Sequence, residues 1–80
     1  MQSFDDYYYF FLVVKYGGFS AASDASQITK SKLSRRILEL EQEFDVSLIQ
    51  RSTRHFKVTA LGEEFYEECC KVIAQADCAR

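Results

Sequence analysis

The sequence contains no proline and only three glycines among its 80 residues. That shortage excludes a turn-dense β-sandwich and a disordered linker, and it favours helices. Cysteine is also scarce. Three is an odd number with no C-x-x-C spacing, so neither a disulfide framework nor a zinc finger is written here, and a reducing compartment suits the chain. No charge of one sign dominates: 12 acidic side chains stand against 10 basic ones, for a net charge of −2. A diffuse polycation that coats an anionic polymer by bulk charge is therefore excluded, and any anion binding must come from local clustering. Long apolar runs are missing as well. The run from Tyr7 to Val14 follows Asp5 and Asp6 rather than bases, and it falls far short of the about 20 residues of a membrane span. Neither a signal peptide nor a membrane anchor is expected, and the expected location is cytoplasmic.

What is present is the composition of one small globular domain, 48% hydrophobic and 28% charged. Ser3 and Asp6 resemble an N-terminal cap, and Phe4, Tyr7, Phe10, Phe11 and Val14 recur at steps of three and four residues. A first helix is expected over roughly 4 to 16, closed by Gly17 and Gly18. Ser20 is expected to cap a short second helix that breaks near Ser26 and Gln27. Thr29 then caps a third helix, running to about Glu43, whose buried stripe is Leu33, Ile37, Leu40 and Phe44. Short β-prone segments, 46–50 and 56–59, flank Arg51, Ser52, Thr53, Arg54 and His55 and predict a two-stranded ribbon with a basic tip. Thr59 caps a last helix from Ala60 to the end. The expected fold is mainly α: a three-helix core, a two-stranded β wing and a long C-terminal helix.

The bases of the third helix are unusual in their placement. Lys30, Lys32, Arg35 and Arg36 occupy its first two turns, whereas Glu39, Glu41, Glu43 and Asp45 gather later. This runs against the helix dipole, which favours the opposite order by about 0.3–1 kcal/mol per charge. Something other than helix stability placed them. A short helix, a tight connection and a third helix with a basic leading end form a helix-turn-helix, whose second helix enters the DNA major groove with its N-terminal residues. From spacing alone, a solvated amphipathic face accounts for these bases equally well, and a helical protein-interaction module with no nucleic-acid role is the alternative.

Motifs decide between them. The segments G-G-F-S-A-A (Gly17 to Ala22), I-T-K-S-K-L-S-R-R-I-L-E-L-E (Ile28 to Glu41), V-S-L-I-Q-R-S-T-R (Val46 to Arg54) and V-T-A-L-G (Val58 to Gly62) follow one another in a single register. Together they resemble the DNA-binding domain of LysR-type transcriptional regulators. The resemblance implies a winged helix-turn-helix over 1–59 that binds an operator in double-stranded DNA. It also implies a linker helix over 60–80 that makes a homodimer, and a C-terminal effector-binding domain, absent from this chain, through which a small molecule would act. By the same resemblance the DNA-contacting positions fall on Thr29, Lys30, Ser31, Ser34, Arg35 and Arg54, with Lys32 and Arg51 as weaker candidates. The chain departs from the family pattern in four places: Lys30 replaces a frequent glutamine, Ser31 a frequent proline, Ser26 a usual leucine and Asp45 a usual glycine. The serine at 26 predicts a looser second helix.

The remaining chemistry-bearing residues point to structure. His55 has no carboxylate or cysteine at ligand spacing beside it, and no metal or cofactor is expected. Cys69 and Cys70 diverge by about 100° on a helix, and Cys78 lies about 12–13 Å farther along, so they cannot chelate one metal. Tyr7, Tyr8, Tyr9 and Tyr16 are read as packing of the first helix. No nucleophile with a base, paired acids or glycine-rich phosphate loop appears, so an enzyme is not expected. On the last helix, Leu61, Phe65, Cys69, Val72, Ala76 and Ala79 repeat like a coiled-coil seam and are the expected dimerisation residues.

Overall fold

The computed structural model describes residues 4–50 and 55–78. Four helices follow in order: α1 (Phe4–Tyr16), α2 (Phe19–Ser26), α3 (Lys30–Phe44) and α4 (Ala60–Cys78). The first helix touches all three others. That position explains its composition, because a helix surrounded on several sides buries residues all around rather than along one stripe. Tyr9, Phe10, Leu12 and Val13 are buried, Tyr7 stacks on Phe65 at 5.4 Å, and Phe11 stacks on Tyr66 at 5.8 Å. Tyr8 and Tyr16 stay exposed.

Backbone geometry sets each junction. Gly17 takes a left-handed φ of 77°, its N–H bonds Val14 O at 3.2 Å, and the N–H of Gly18 bonds Val13 O at 2.9 Å. This pair of bonds closes α1 in a Schellman motif. Gly18, not Ser20, then serves as N-cap of α2; its carbonyl accepts from Ala22 N at 3.1 Å, and no side chain caps the helix. The expected Ser20 cap fails because the double glycine leaves no room for a linker, so the second helix starts directly on Gly18. Ser26 is engaged by hydrogen bonds on both sides. Its hydroxyl donates to Ala22 O at 2.6 Å and accepts from Ile28 N at 3.3 Å, which ties the end of α2 to the turn. Gln27 makes that turn in the left-handed region at φ 67°.

Thr29 caps α3 as expected, its hydroxyl accepting from Lys32 N at 3.2 Å. The far end closes on Asp45, left-handed at φ 53°, with Val46 N bonded to Glu41 O at 3.0 Å. Leu33, Ile37 and Leu40 are buried, but Phe44 is 49% exposed. The stripe stops one turn early because the last position on the core side is taken by Glu41, which is only 7% exposed.

The two arms of the wing meet at one antiparallel bridge, Ile49 with Val58, flanked by Gln50 N to Lys57 O at 2.9 Å and Thr59 N to Leu48 O at 3.0 Å. Among the described residues the ribbon is thus shorter than the expected pair of strands. A two-stranded ribbon is marginal in water, and this one is held from below. Glu41 Oε2 accepts from the amides of Leu48 at 2.7 Å and Ile49 at 3.1 Å. Thr59 donates its hydroxyl to Ser47 O at 2.7 Å and accepts from Gly62 N at 2.9 Å, so one side chain joins the wing to the first turn of α4.

Candidate nucleic-acid interface

The bases of α3 do not all face the same way. Arg36 Nε and Nη2 both donate to Asp6 Oδ1, at 3.1 and 2.7 Å, and Nη1 reaches Glu39 at 3.2 Å. The bond to Asp6 and its charge raise the Arg36 pKa above its ordinary value. Lys32 leans the same way, with its ammonium 5.7 Å from the Tyr9 ring centroid. Arg36 serves the α1–α3 contact, while Lys32 stays exposed at its edge. Arg36, which sequence alone grouped with the DNA-facing bases, is therefore an anchor of the helix-turn-helix.

That leaves Lys30, Ser31, Ser34 and Arg35 on the other side of the helix. Lys30, Ser31 and Arg35 are exposed and Ser34 is half-buried. At 100° per residue they share one arc, at the end of α3 where the Lys30 and Ser31 amides open toward solvent. A guanidinium, an ammonium, two hydroxyls and helix-end amides on one face can pair bidentately with guanine and hold phosphate. Thr29 sits at the rim with its oxygen engaged in the cap. Arg51 and Arg54 lie outside the described residues. The stem of the wing carries Lys57, which is exposed.

Sequence reasoning missed Glu41 as a device for aiming the wing. Its signal was an acid at a position that helical periodicity assigns to the buried side, between Leu40 and the β-prone arm.

The expected seam of α4 divides in two. Cys69 is fully buried inside the chain and burial pushes its thiol up to about 12. Phe65 packs against Tyr7 and Phe10. Tyr66 is likewise raised, by burial first and then by a hydrogen bond with Cys70. Phe65 also lines, with Leu61 and Val72, an open apolar groove of about 630 Å³ that Leu40, Phe44 and Val46 complete and Glu64 and Glu68 edge. Leu61 is 44% exposed. The side chain of Ala76 and the whole of Ala79 lie outside the described residues. No helix among the described residues is long and apolar enough to cross a membrane.

A short helix, a three-residue turn, a second helix with an open polar leading face and a small ribbon beside it define the class: a winged helix-turn-helix. The profile of bacterial regulatory helix-turn-helix proteins of the lysR family matches residues 4–63, and the chain belongs to that family, one of transcriptional regulators rather than enzymes. It is 39% identical over 71 residues to the HTH-type transcriptional regulator BudR of Klebsiella aerogenes, covering 89% of this chain and 50% of that protein. It is 36% identical over 69 residues to the HTH-type transcriptional regulator BenM of Acinetobacter baylyi, covering 86% of this chain and 23% of BenM. The chain thus spans half or less of the length of these relatives. The fold superposes on the BenM DNA-binding domain in its complex with catB site 1 DNA with a TM-score of 0.88 at 33% identity, covering 95% of this chain and 82% of that one. Full-length AphB, the Vibrio cholerae virulence activator, matches with a TM-score of 0.84 at 30% identity, over 95% of this chain and 26% of that one.

Proposed function

We propose that this domain binds double-stranded DNA with sequence preference, placing the leading end of α3 in the major groove. The observation that carries the reading is the open face of Lys30, Ser31, Ser34 and Arg35 on the very helix that matches the DNA-bound BenM domain. Arg35 and Lys30 read base edges, Ser31 and Ser34 reach bases or phosphate, and Thr29, Lys32, Arg51 and Arg54 serve phosphates. Net acidity does not oppose this, because charge is felt only over about 8 Å at physiological salt and the leading face is locally basic. A titration of selected and random duplexes at several salt concentrations tests it. Affinity should fall linearly on a log–log plot while preference for one sequence persists. Arg35→Ala should cost about 1–3 kcal/mol on the preferred duplex and relax preference at one base position. Equal losses on preferred and random duplexes would remove Arg35 from base reading.

The domain acts as a homodimer through α4, so that two recognition helices meet half-sites related by a pseudo-two-fold axis. The groove beside Leu61 and Val72 supports this reading, since apolar side chains lining an open cleft on a small domain need a partner. Cys69 holds the helix from the inner side, Phe65 adds to the groove, and the sequence pattern extends the seam to Ala76 and Ala79. Val72→Asp should give monomers in sedimentation at micromolar concentration and weaken operator binding. A dimeric variant, or a monomeric parent, would overturn the seam assignment.

A further inference from the structure

Leu38 is an apolar side chain that the fold does not use. It is 43% exposed near the middle of α3, while Leu33, Ile37 and Leu40 fill the buried side of that helix. An isolated exposed leucine is ordinary on a protein surface. This one differs in where it stands. Steps of three and four residues lead from Ser31 to Ser34 and Arg35 and then to Leu38, so it falls on the same arc as the proposed reading residues, about 10 Å along the axis from Ser31. The next exposed residue on that arc is the uncharged Gln42, one turn farther on. Every exposed or half-exposed side chain of α3 up to this point is a base or a hydroxyl, and Glu39, Glu43 and Asp45 follow. Carboxylates are repelled by phosphates, so a duplex drawn to the bases of this face would favour the leading half of the helix, where Leu38 stands at its end. On the wing side, Leu38 borders a shallow notch with Gln42, Val46 and Ser47 rather than a packed core.

A leucine offers no hydrogen bond. In the major groove the base-edge feature that complements it is the C5-methyl of thymine. We infer that Leu38 reads a thymine methyl in each half-site, adding an apolar contact to the polar readout by Ser31, Ser34 and Arg35. This rests on the proposed reading face and deepens it.

The test uses the full chain and its preferred duplex, selected from random sequences. Each thymidine is replaced in turn by deoxyuridine, which removes the methyl and leaves every hydrogen-bonding edge intact. The parent protein should lose about fourfold in affinity at one position per half-site, the factor that corresponds to one buried methyl group. Leu38→Ala should bind the parent duplex more weakly by a similar factor and be indifferent to deoxyuridine at that position, while melting as the parent does. If Leu38→Ala shows the parent's deoxyuridine profile at every position, the contact does not exist. Arg35→Ala is titrated on the same duplexes. If it keeps full base preference, the reading face as a whole is overturned, and Leu38 with it.

Discussion

Gly62→Ala is expected to lower the thermal midpoint by about 8–16 °C, even though alanine is the better helix former by about 1 kcal/mol. The reason is the closeness of α4 to the wing. A Cβ at position 62 would overlap the carbonyl oxygen of Leu48 and Cγ1 of Val58, and it would stand 3.1 Å from Leu48 C. The first obstacle is backbone, not the far end of a flexible side chain. That backbone is fixed in turn, because Leu48 O accepts from Thr59 N and Leu48 N donates to Glu41. Overpacking against such a wall costs about 3 kcal/mol, which outweighs the gain in propensity and leaves a net loss of about 2 kcal/mol. Thermal melting followed by circular dichroism reads it out. An unchanged or raised midpoint would show that α4 can slide away from the wing, contrary to the junction described above.

Glu41→Ala should be as damaging as truncating a core leucine of α3. Two buried amides, those of Leu48 and Ile49, lose their shared acceptor. Each buried donor left without a partner costs about 1–3 kcal/mol, so the variant should lose about 2–6 kcal/mol in urea denaturation. That is a large part of the about 5–15 kcal/mol that holds a small domain. Glu41→Gln keeps one carbonyl oxygen in place and should lose clearly less. Equal losses for the two variants would mean that the hole left by the side chain matters, rather than the hydrogen bonds. Since the amides belong to the root of the wing, Glu41→Ala should also lower the salt dependence of duplex binding by freeing the wing from the recognition helix.

The helices were legible in the sequence because their signals are local. Thr29 and Thr59 sit where caps must, the double glycine stops α1, and the spacing of Leu33, Ile37 and Leu40 marks one side of α3. What could not be read depends on contacts between distant residues. Arg36 looks like any other base of the third helix until Asp6, 30 positions earlier, is placed opposite it. Glu41 looks like one of four late acids until two wing amides point at it. The seam of α4 carries a heptad-like pattern, yet such spacing cannot tell an intrachain core from a partner's helix. The structure buries Cys69 in the core, packs half-buried Phe65 between the core and the groove, and leaves Leu61 exposed in that groove beside half-buried Val72. Ser20 was a plausible cap on composition and lost to Gly18 because φ at that junction, 153°, suits glycine.

The ordering of charge along α3 also governs how the molecule meets its target. Lys30 and Arg35 stand at one end of a helix of 15 residues, about 22 Å long. Phe44 at the other end shares its groove with Glu64 and Glu68. The separation exceeds the reach of a charge in physiological salt, about 8 Å, so an approaching polyanion meets two poles rather than one net charge. It pulls the leading end inward and pushes the groove away. The protein is therefore turned during diffusion, before any base is touched, and unproductive collisions on the acidic pole are shed early. Added salt weakens this torque first, so the rate of encounter falls before the quality of the final fit changes.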